Sequence, residues 1–243
     1  MKDHFSTESG NYARYRPTYP PELFEWLIRL VKDRKSCWDC GTGTGQVAAS
    51  LSGYFKKVHA TDISRSQIDH AVKRENITYS IAKAEHTSFP DNYFDLIVVA
   101  QAIHWFDFDK FFLEAKRTIK PGGVLTIIGY SVIKINDELD KVILDFYKNI
   151  IGPYWDEERK YIDEEYKTIP FPFNEVKTPP FEMRTRWSLD ELTGYLRTWS
   201  AVKHYIKANG IDPVEDLKGR LSQYWHEPIQ DVKFPLLMRV GKI

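Results

Sequence analysis

Residues 38–48, WDCGTGTGQVA, place glycines at the alternate positions 41, 43 and 45, directly downstream of an aspartate. Residues 36–39 predict a short strand before this loop, and residues 46–52 predict a helix after it. A strand, a glycine loop and a helix in this order form the first half of a strand–helix–strand unit. Three glycines exceed the needs of a tight turn, so the loop predicts main chain pressed against a ligand, where a Cβ atom would collide.

The same alternation continues along the chain as far as residue 129. Strands are predicted over 57–61, 77–82, 94–100 and 124–129, and the apolar run at 94–100 is typical of a strand that is covered on both faces. Helices are predicted after Ser64, which begins a capping-box pattern, and over 107–119. Strands that alternate with helices predict an α/β fold, in which a parallel sheet carries helices on both faces.

The regular alternation of strands and helices ends after residue 130. Residues 134–180 are predicted to be helical and aromatic, and they end in a proline-rich stretch. Two late strands are predicted over 181–187 and 232–240, with helices between them. The common sheet does not need residues 134–180, so this segment is expected to cover a substrate.

Composition and charge narrow the class of protein. The 34 Lys and Arg residues equal the 34 Asp and Glu residues, so no general electrostatic attraction to nucleic acid or to an anionic membrane is expected. No apolar run approaches the ~20 residues of a membrane span, and the polar N-terminus does not resemble a signal peptide. A cytoplasmic protein is therefore expected, with its oligomeric state left open and a monomer compatible with the sequence.

The only cysteines, Cys37 and Cys40, form a C-x-x-C pattern. Positions three apart on a strand point to opposite faces, so a redox pair is disfavoured. No second Cys/His pair stands at ligand spacing, and no metal site is expected.

The glycine loop is compatible with two kinds of adenosine-containing cofactor. A dinucleotide fingerprint is satisfied by Gly43, Gly45 and Ala48, which keeps a nicotinamide cofactor in consideration. Asp39 favours another ligand, because its carboxylate would repel a pyrophosphate and attract a cation. Asp62 ends the next strand, where a carboxylate can accept both hydroxyls of a ribose. A cationic adenosine ligand that lacks phosphate is S-adenosylmethionine (SAM).

Several motifs in order and at matching spacing carry a resemblance to a known family. They are Asp39-x-Gly41-x-Gly43-x-Gly45, Asp62, Ala84-Glu85, FDLI at 94–97 and KPGG at 120–123. Together they resemble the class I SAM-dependent methyltransferases of the methyltransferase type 11 kind. The stretches ARYRPTYP at 13–20 and QAIHWF at 101–106 are similar to the branch that contains trans-aconitate methyltransferase and its fungal relatives.

The resemblance implies a single domain over 1–243 with a Rossmann-like, seven-stranded and mostly parallel sheet whose last strand is reversed. Residues 1–20 would form an N-terminal lid, 36–129 the SAM-binding core, 134–180 a helical substrate-cap insertion, and 181–243 the C-terminal strands and helices. The implied cofactor-binding residues are Asp39, Gly41, Thr42, Gly43, Asp62, Ile63, Gln67, Ala84, Glu85 and Gln101. The implied catalytic residues, between cofactor and acceptor, are His104, Trp105, Tyr15 and Arg16.

Methyl transfer to a small-molecule acceptor is the expected function, and a carboxylic acid is one candidate. A carboxylate acceptor needs no general base, but it needs cations and hydrogen-bond donors to hold its charge. The candidates for that role are Tyr12, Tyr15, Arg16, His104, Trp105, Arg184 and Arg186. His104 could instead act as a base for a phenol or an amine. The alternatives are a protein that binds SAM or its product S-adenosylhomocysteine (SAH) without turnover, and a nicotinamide-dependent oxidoreductase.

Overall fold

One mixed β-sheet organises residues 17–243, the part of the chain that this computed structural model describes. Its strands are β1 (Ser36–Cys40), β2 (Lys57–Asp62), β3 (Ile77–Ile81), β4 (Phe94–Ala100), β5 (Ile119–Tyr130), β6 (Asn174–Val176), β7 (Glu182–Trp187) and β8 (Gln230–Lys242). The helices are α1 (Pro21–Leu30), α2 (Gln46–Leu51), α3 (Arg65–Asp69), α4 (Phe108–Thr118), α5 (Asp137–Asp145), α6 (Lys160–Asp163), α7 (Leu189–Leu196), α8 (Ser200–Asn209) and α9 (Pro213–Ser222).

The sheet has the strand order β3-β2-β1-β4-β5-β8-β6. Strands β1 to β5 pair in parallel, and β8 runs antiparallel to both β5 and β6. The predicted α/β fold, mostly parallel with a reversed last strand, is confirmed. The long β8 also pairs with β7, which adds an eighth strand off this path. We call the side where β1 to β5 end the carboxyl edge of the sheet.

Apolar residues cover both faces of the sheet. One face buries Trp38, Phe94 and Phe111 in a single cluster, and the other packs Leu23 and Leu27 of α1. The five residues of β1 are all buried, as expected of a strand covered on both sides. The cysteines follow this alternation, with Cys40 in the first cluster and Cys37 in the second, and both thiols are free. Because the two thiols face opposite sides of the sheet, they cannot form a redox pair.

Two local predictions need correction. Residues 121–123 were predicted as a turn before the fifth strand, yet they lie inside β5, where Gly122 has a φ of 76° and the β4–β5 register shifts. Residues 134–180 are not helical throughout, because β6 lies within them and pairs with β8 at the edge of the sheet. Helix α5 is instead followed by single turns at Phe146–Ile150, Gly152–Tyr154 and Glu157–Arg159.

The C-terminal helices α7, α8 and α9 surround a third apolar cluster, which includes Ile143 of α5, Leu192 and Val214. The cluster joins the insertion to the late strands through Met183 and Phe234. Over residues 17–243, no helix combines the length and the hydropathy that crossing a membrane requires.

Candidate functional site

The glycine loop turns sharply at the carboxyl end of β1. Gly41, Gly43 and Gly45 have φ values of 73°, 55° and 80°, which favour glycine because a Cβ atom is strained there. The backbone N–H groups of Gly41 and Thr42 both donate to the carbonyl oxygen of Thr61, at 2.8 and 2.9 Å. These bonds hold the loop against the end of β2.

The three glycines do not all face a ligand. A Cβ atom on Gly41 would lie 2.6 Å from the Ala102 Cβ atom, and one on Gly45 would lie 2.2 Å from the Tyr79 hydroxyl. For Gly43 the nearest atom is the Gln67 Oε1, at 3.7 Å. Packing against protein therefore explains Gly41 and Gly45, contrary to the sequence-based interpretation, and Gly43 alone leaves room for a ligand.

Asp39 lies beneath this loop and is only 1% exposed. Its Oδ2 accepts hydrogen bonds from the Thr42 hydroxyl at 2.6 Å and from the Ala48 N–H at 2.9 Å. Its Oδ1 is buried and meets no hydrogen-bond donor within residues 17–243. Burial raises the pKa of Asp39 from 3.8 to about 7; the bonds from Thr42 and Ala48 lower it, and the Asp62 charge raises it further.

Asp62 ends β2 beside the same loop. Its Oδ2 accepts a hydrogen bond from the Gly43 N–H, and its Oδ1 accepts one from the Ser64 N–H, both at 2.9 Å. A carboxylate has about four lone-pair sites, and these two bonds use one on each oxygen. Ser64 caps α3 by accepting from the Gln67 N–H, which confirms the predicted helix start, and Gln67 is buried. Ile63, between these residues, is half-buried.

The loop after β3 carries the predicted adenine-side residues. Ala84 is buried in the same cluster as Trp38. The Glu85 Oε1 accepts a hydrogen bond from the Asp107 N–H at 3.1 Å, and Asp107 in turn caps α4. This bond fastens the loop after β3 to the start of α4, at the carboxyl edge.

Gln101 directly follows β4 and has a φ of 54°, which is uncommon for a residue with a side chain. Its N–H donates to the Ile128 carbonyl at 2.8 Å, so pairing with β5 maintains this conformation. Its Nε2 is buried and finds no acceptor among the residues described. Strained backbone of this kind costs about 1–3 kcal/mol and clusters at ligand sites.

Asp39 and Gln101 therefore bring an acceptor and a donor to the ends of two neighbouring strands, each buried and each without a hydrogen-bond partner among residues 17–243. An ammonium group would satisfy the acceptor, and a carboxylate would satisfy the donor. These are the two polar groups of an amino acid, so the pair fits the methionine part of SAM.

His104 and Trp105 belong to a single 3₁₀ turn, Ile103–Trp105, above the same edge. His104 is buried, and its Nδ1 lies 3.5 Å from the Tyr166 hydroxyl, with the two rings nearly parallel at 18°. The Trp105 ring centroid lies 5.0 Å from that of His104. The predicted pair thus sits at the carboxyl edge, beneath a residue of the insertion.

Tyr166 is a site residue that the sequence did not indicate. It is fully buried against Gly129, where an added Cβ atom would lie 2.5 Å from the tyrosine ring. Burial raises the pKa of the Tyr166 hydroxyl well above its ordinary value, and the positive charge of Arg159 acts in the opposite direction. Gly129, near the end of β5, was the one feature of the sequence that could have indicated a bulky side chain packed against the strand. Tyr166 lies 37 positions further along the chain, so the sequence does not show that the two residues meet.

Other predicted residues lie elsewhere. The side chains of Arg184 and Arg186 on β7 are 70% and 77% exposed and pair with Glu182 and Asp231 at the surface. Both side chains face solvent in these ion pairs, and their role towards the acceptor stays a prediction. Tyr12, Tyr15 and Arg16 lie outside the described residues, and their roles stay predictions.

Comparisons with known proteins agree with this geometry. The model of a methyltransferase domain matches residues 38–127. A Dictyostelium discoideum protein named as a methyltransferase is 33% identical over 249 residues, which cover 99% of this chain and 95% of that protein. A solved structure from Anaeromyxobacter dehalogenans, described as a type II methyltransferase, has 37% identity and a TM-score of 0.88, and the match covers 94% of this chain and 98% of the other. A Saccharomyces cerevisiae protein named as an S-adenosylmethionine-dependent methyltransferase is 23% identical, with 85% and 83% covered.

Proposed function

The chain belongs to the class I SAM-dependent methyltransferases, and we propose that it methylates a small-molecule acceptor, with a carboxylic acid as the favoured class. The observation that carries the cofactor assignment is a buried acceptor of Asp39 and a buried donor of Gln101, at the ends of neighbouring strands and each without a hydrogen-bond partner among residues 17–243. A polar atom that is buried without a partner costs roughly 1–3 kcal/mol, and a ligand that pairs with both atoms recovers that cost.

The remaining cofactor contacts follow from position. Gly43 would let the main chain approach the ligand, and the Asp62 carboxylate would accept the ribose hydroxyls. Ile63, with the loop of Ala84 and Glu85, would border the adenine, and Gln67 would lie near the ribose. When bound, SAM supplies an electrophilic methyl group on a positively charged sulfur, and it leaves as SAH with a neutral sulfur.

The chain's own contribution is orientation and the exclusion of water. A nucleophilic oxygen of the acceptor donates its lone pair to the methyl carbon while the carbon–sulfur bond breaks and its electrons remain on sulfur. Alignment of this kind can supply ~7–11 kcal/mol of barrier reduction. A carboxylate is already ionised at neutral pH, so it needs no proton removed. His104, Trp105 and Tyr166 would then shape the acceptor space and exclude water from it.

A small acceptor is favoured over a macromolecule by two observations. The balanced charge offers no general attraction to nucleic acid. Tyr166 packs over His104 at the carboxyl edge, so the insertion restricts access to this side of the sheet.

The test is transfer of a labelled methyl group from SAM to a panel of carboxylic acids, phenols and amines, together with calorimetry of SAH binding. Label is expected in a base-labile ester. Gly43→Val should abolish SAH binding, because it fills the only open glycine of the loop. Gly122→Val is the matched control, since it carries the same strain in β5 with no atom within 4 Å of its Cβ position.

The outcomes separate the alternatives. Absence of SAH binding would contradict the cofactor assignment. SAH binding without transfer to any member of the panel would favour a binding protein without turnover. Transfer to a phenol or an amine alone would keep the enzyme and reject the carboxylic acid.

A further inference from the structure

The turn Glu157–Arg159 brings a cation to the candidate acceptor site. It packs against the turn Ile103–Trp105, which carries His104 and Trp105. The Arg159 N–H donates to the Asp156 carbonyl at 2.9 Å, and the Asp156 carboxylate accepts a hydrogen bond from the Ser200 hydroxyl at 2.9 Å. The turn is therefore fastened to α8 on its outer side.

The guanidinium of Arg159 is held in one orientation by its neighbours. Its Cζ lies 4.7 Å from the Trp155 ring centroid and 5.3 Å from that of Tyr147. Its Nε donates to the Tyr147 hydroxyl at 2.6 Å, and that hydroxyl donates to the Asp163 carboxylate at 2.6 Å. The Arg159 side chain is 20% exposed, so most of it is removed from water.

None of these contacts uses the two terminal nitrogens. Within residues 17–243, no group accepts a hydrogen bond from the Nη1 or the Nη2 of Arg159. The nearby Asp163 carboxylate lies 3.7 Å from the Nε and not at the terminal end. These two nitrogens form the end-on fork that matches a carboxylate with two parallel hydrogen bonds.

The charge of Arg159 reaches the predicted acceptor space. It acts on the Tyr166 hydroxyl, whose oxygen lies 3.5 Å from the His104 Nδ1. Its charge also interacts with Tyr195, which is buried in the C-terminal cluster. Arg159 therefore lies close enough to the turn of His104 for its charge to act at the predicted acceptor space.

We propose that Arg159 anchors the acceptor by binding one of its carboxylates through Nη1 and Nη2, an inference that rests on the methyl-transfer function proposed above. A carboxylate paired in this way has its charge and lone pairs committed to the guanidinium, which makes it a poor nucleophile. The methylated oxygen is then a second group of the same molecule. The acceptor is a small acid with an anchoring carboxylate and a separate nucleophilic carboxylate, held beside the turn that carries His104 and Trp105.

The test compares the wild-type protein with Arg159→Gln and Arg159→Lys. Its acceptors are the straight-chain diacids from malonic to adipic acid and the monoamide of each one. The wild type should methylate at least one diacid and prefer it at least tenfold over its monoamide in kcat/KM. Arg159→Gln should raise the KM for that diacid about 10- to 100-fold, because a hydrogen-bonded ionic contact is lost. It should also remove the preference over the monoamide.

Controls separate anchoring from a structural role. Arg220→Gln removes another half-buried arginine, which links α9 to Asp145 of α5, and should leave the diacid KM unchanged. SAH affinity measured by calorimetry should match the wild type in both Gln variants. Arg159→Lys should recover only part of the loss, because a lysine retains the charge without the fork.

Three results would overturn the anchoring role. The first is a diacid preference that survives in Arg159→Gln, and the second is equal methylation of diacid and monoamide by the wild type. The third is that the enzyme methylates only acceptors that have no carboxylate. Each of them leaves SAH binding intact, so failure of the anchor is distinguishable from failure of the methyltransferase proposal.

Discussion

Replacing Asp39 with asparagine separates the charge at the base of the glycine loop from its shape. The raised pKa, from 3.8 to about 7, means that burial disfavours the ionised form in the folded protein. Each pKa unit corresponds to ~1.4 kcal/mol, so keeping Asp39 ionised costs the fold roughly 4 kcal/mol relative to the unfolded chain.

The sign of the effect on stability follows from proton binding. Below pH 3.8 both states hold the proton, so the group has no pH-dependent effect. Between pH 3.8 and about 7 the unfolded chain releases the proton while the folded protein keeps it. The contribution of Asp39 to the free energy of unfolding therefore falls as the pH rises through this window, and it is flat above the window.

The Asp39→Asn variant lacks this titration. Its side-chain oxygen can still accept from Thr42 and Ala48, while its Nδ2 takes the position of the unpartnered Oδ1. A buried amide without an acceptor costs about 1–3 kcal/mol, which offsets part of the gain. At pH 8 we expect Asp39→Asn to be more stable than the wild type by about 1–3 kcal/mol, and at pH 5 we expect the advantage to shrink by at least half.

The same substitution should impair the cofactor site. An asparagine presents a donor where the ammonium group of SAM needs an acceptor, so affinity at pH 8 should fall at least tenfold. Because a cationic ligand favours the ionised carboxylate, the wild type should also release protons when SAM binds near pH 7. Calorimetry in two buffers with different ionisation enthalpies measures this release, and Asp39→Asn should lack it.

Urea unfolding of both proteins at pH 5, 6.5 and 8 provides the stability comparison. A wild-type-minus-variant difference that does not change with pH would mean that Asp39 titrates in its ordinary range. Unchanged SAM affinity in the variant would mean that its Oδ1 does not face the ligand. Either result would refute the reasoning from burial.

Three further substitutions test the rest of the site. Gly45→Ala should lower the free energy of unfolding by about 2–4 kcal/mol, because its Cβ atom adds left-handed backbone strain and clashes with the Tyr79 hydroxyl. Gly210→Ala is the control, since Gly210 has a φ of 73° and no neighbour within 4 Å. It should lose only about 1–2 kcal/mol in the same urea titration. Trp105→Ala should reduce acceptor turnover more than SAM affinity, and the opposite ratio in kinetics and calorimetry would assign it to the cofactor site. Asp62→Ala should weaken SAM binding at least tenfold by calorimetry, and unchanged affinity would reject the ribose role.

The positions of Asp39, Asp62 and the glycines in the fold could be predicted because their determinants are local. Asp39, the glycines and Asp62 fall within one strand–loop–helix–strand unit, so alternation and turn chemistry place them at the same sheet edge. The packing that requires glycine at positions 41 and 45 could not be predicted from that unit. Gly41 is opposed by Ala102 and Gly45 by Tyr79, and such close approaches arise only after β2, β3 and β4 have assembled.

The acceptor half could not be predicted because its contacts are remote in the chain. Tyr166 meets His104 across 62 positions, and Arg159 sits in a three-residue turn that has no periodic signal. The surface ion pairs of Arg184 and Arg186 could not be predicted for the same reason. Alternation identified their strand, but it did not indicate that β7 pairs with the part of β8 that extends beyond Tyr130, the last residue of β5.

This division of the chain also suggests where acceptor choice is set. The groups assigned to the cofactor come from residues 39–101, whereas Tyr166, Trp155 and Arg159 come from the insertion. The turn of His104 and Trp105 joins the two halves, through the contact of His104 with Tyr166 and the packing against the turn of Arg159. Under the proposed function, substitutions in the insertion can therefore alter the acceptor while the glycine loop keeps its geometry. A branch of one methyltransferase family can thus change its acceptor by changing a segment that contributes only one short strand to the common sheet.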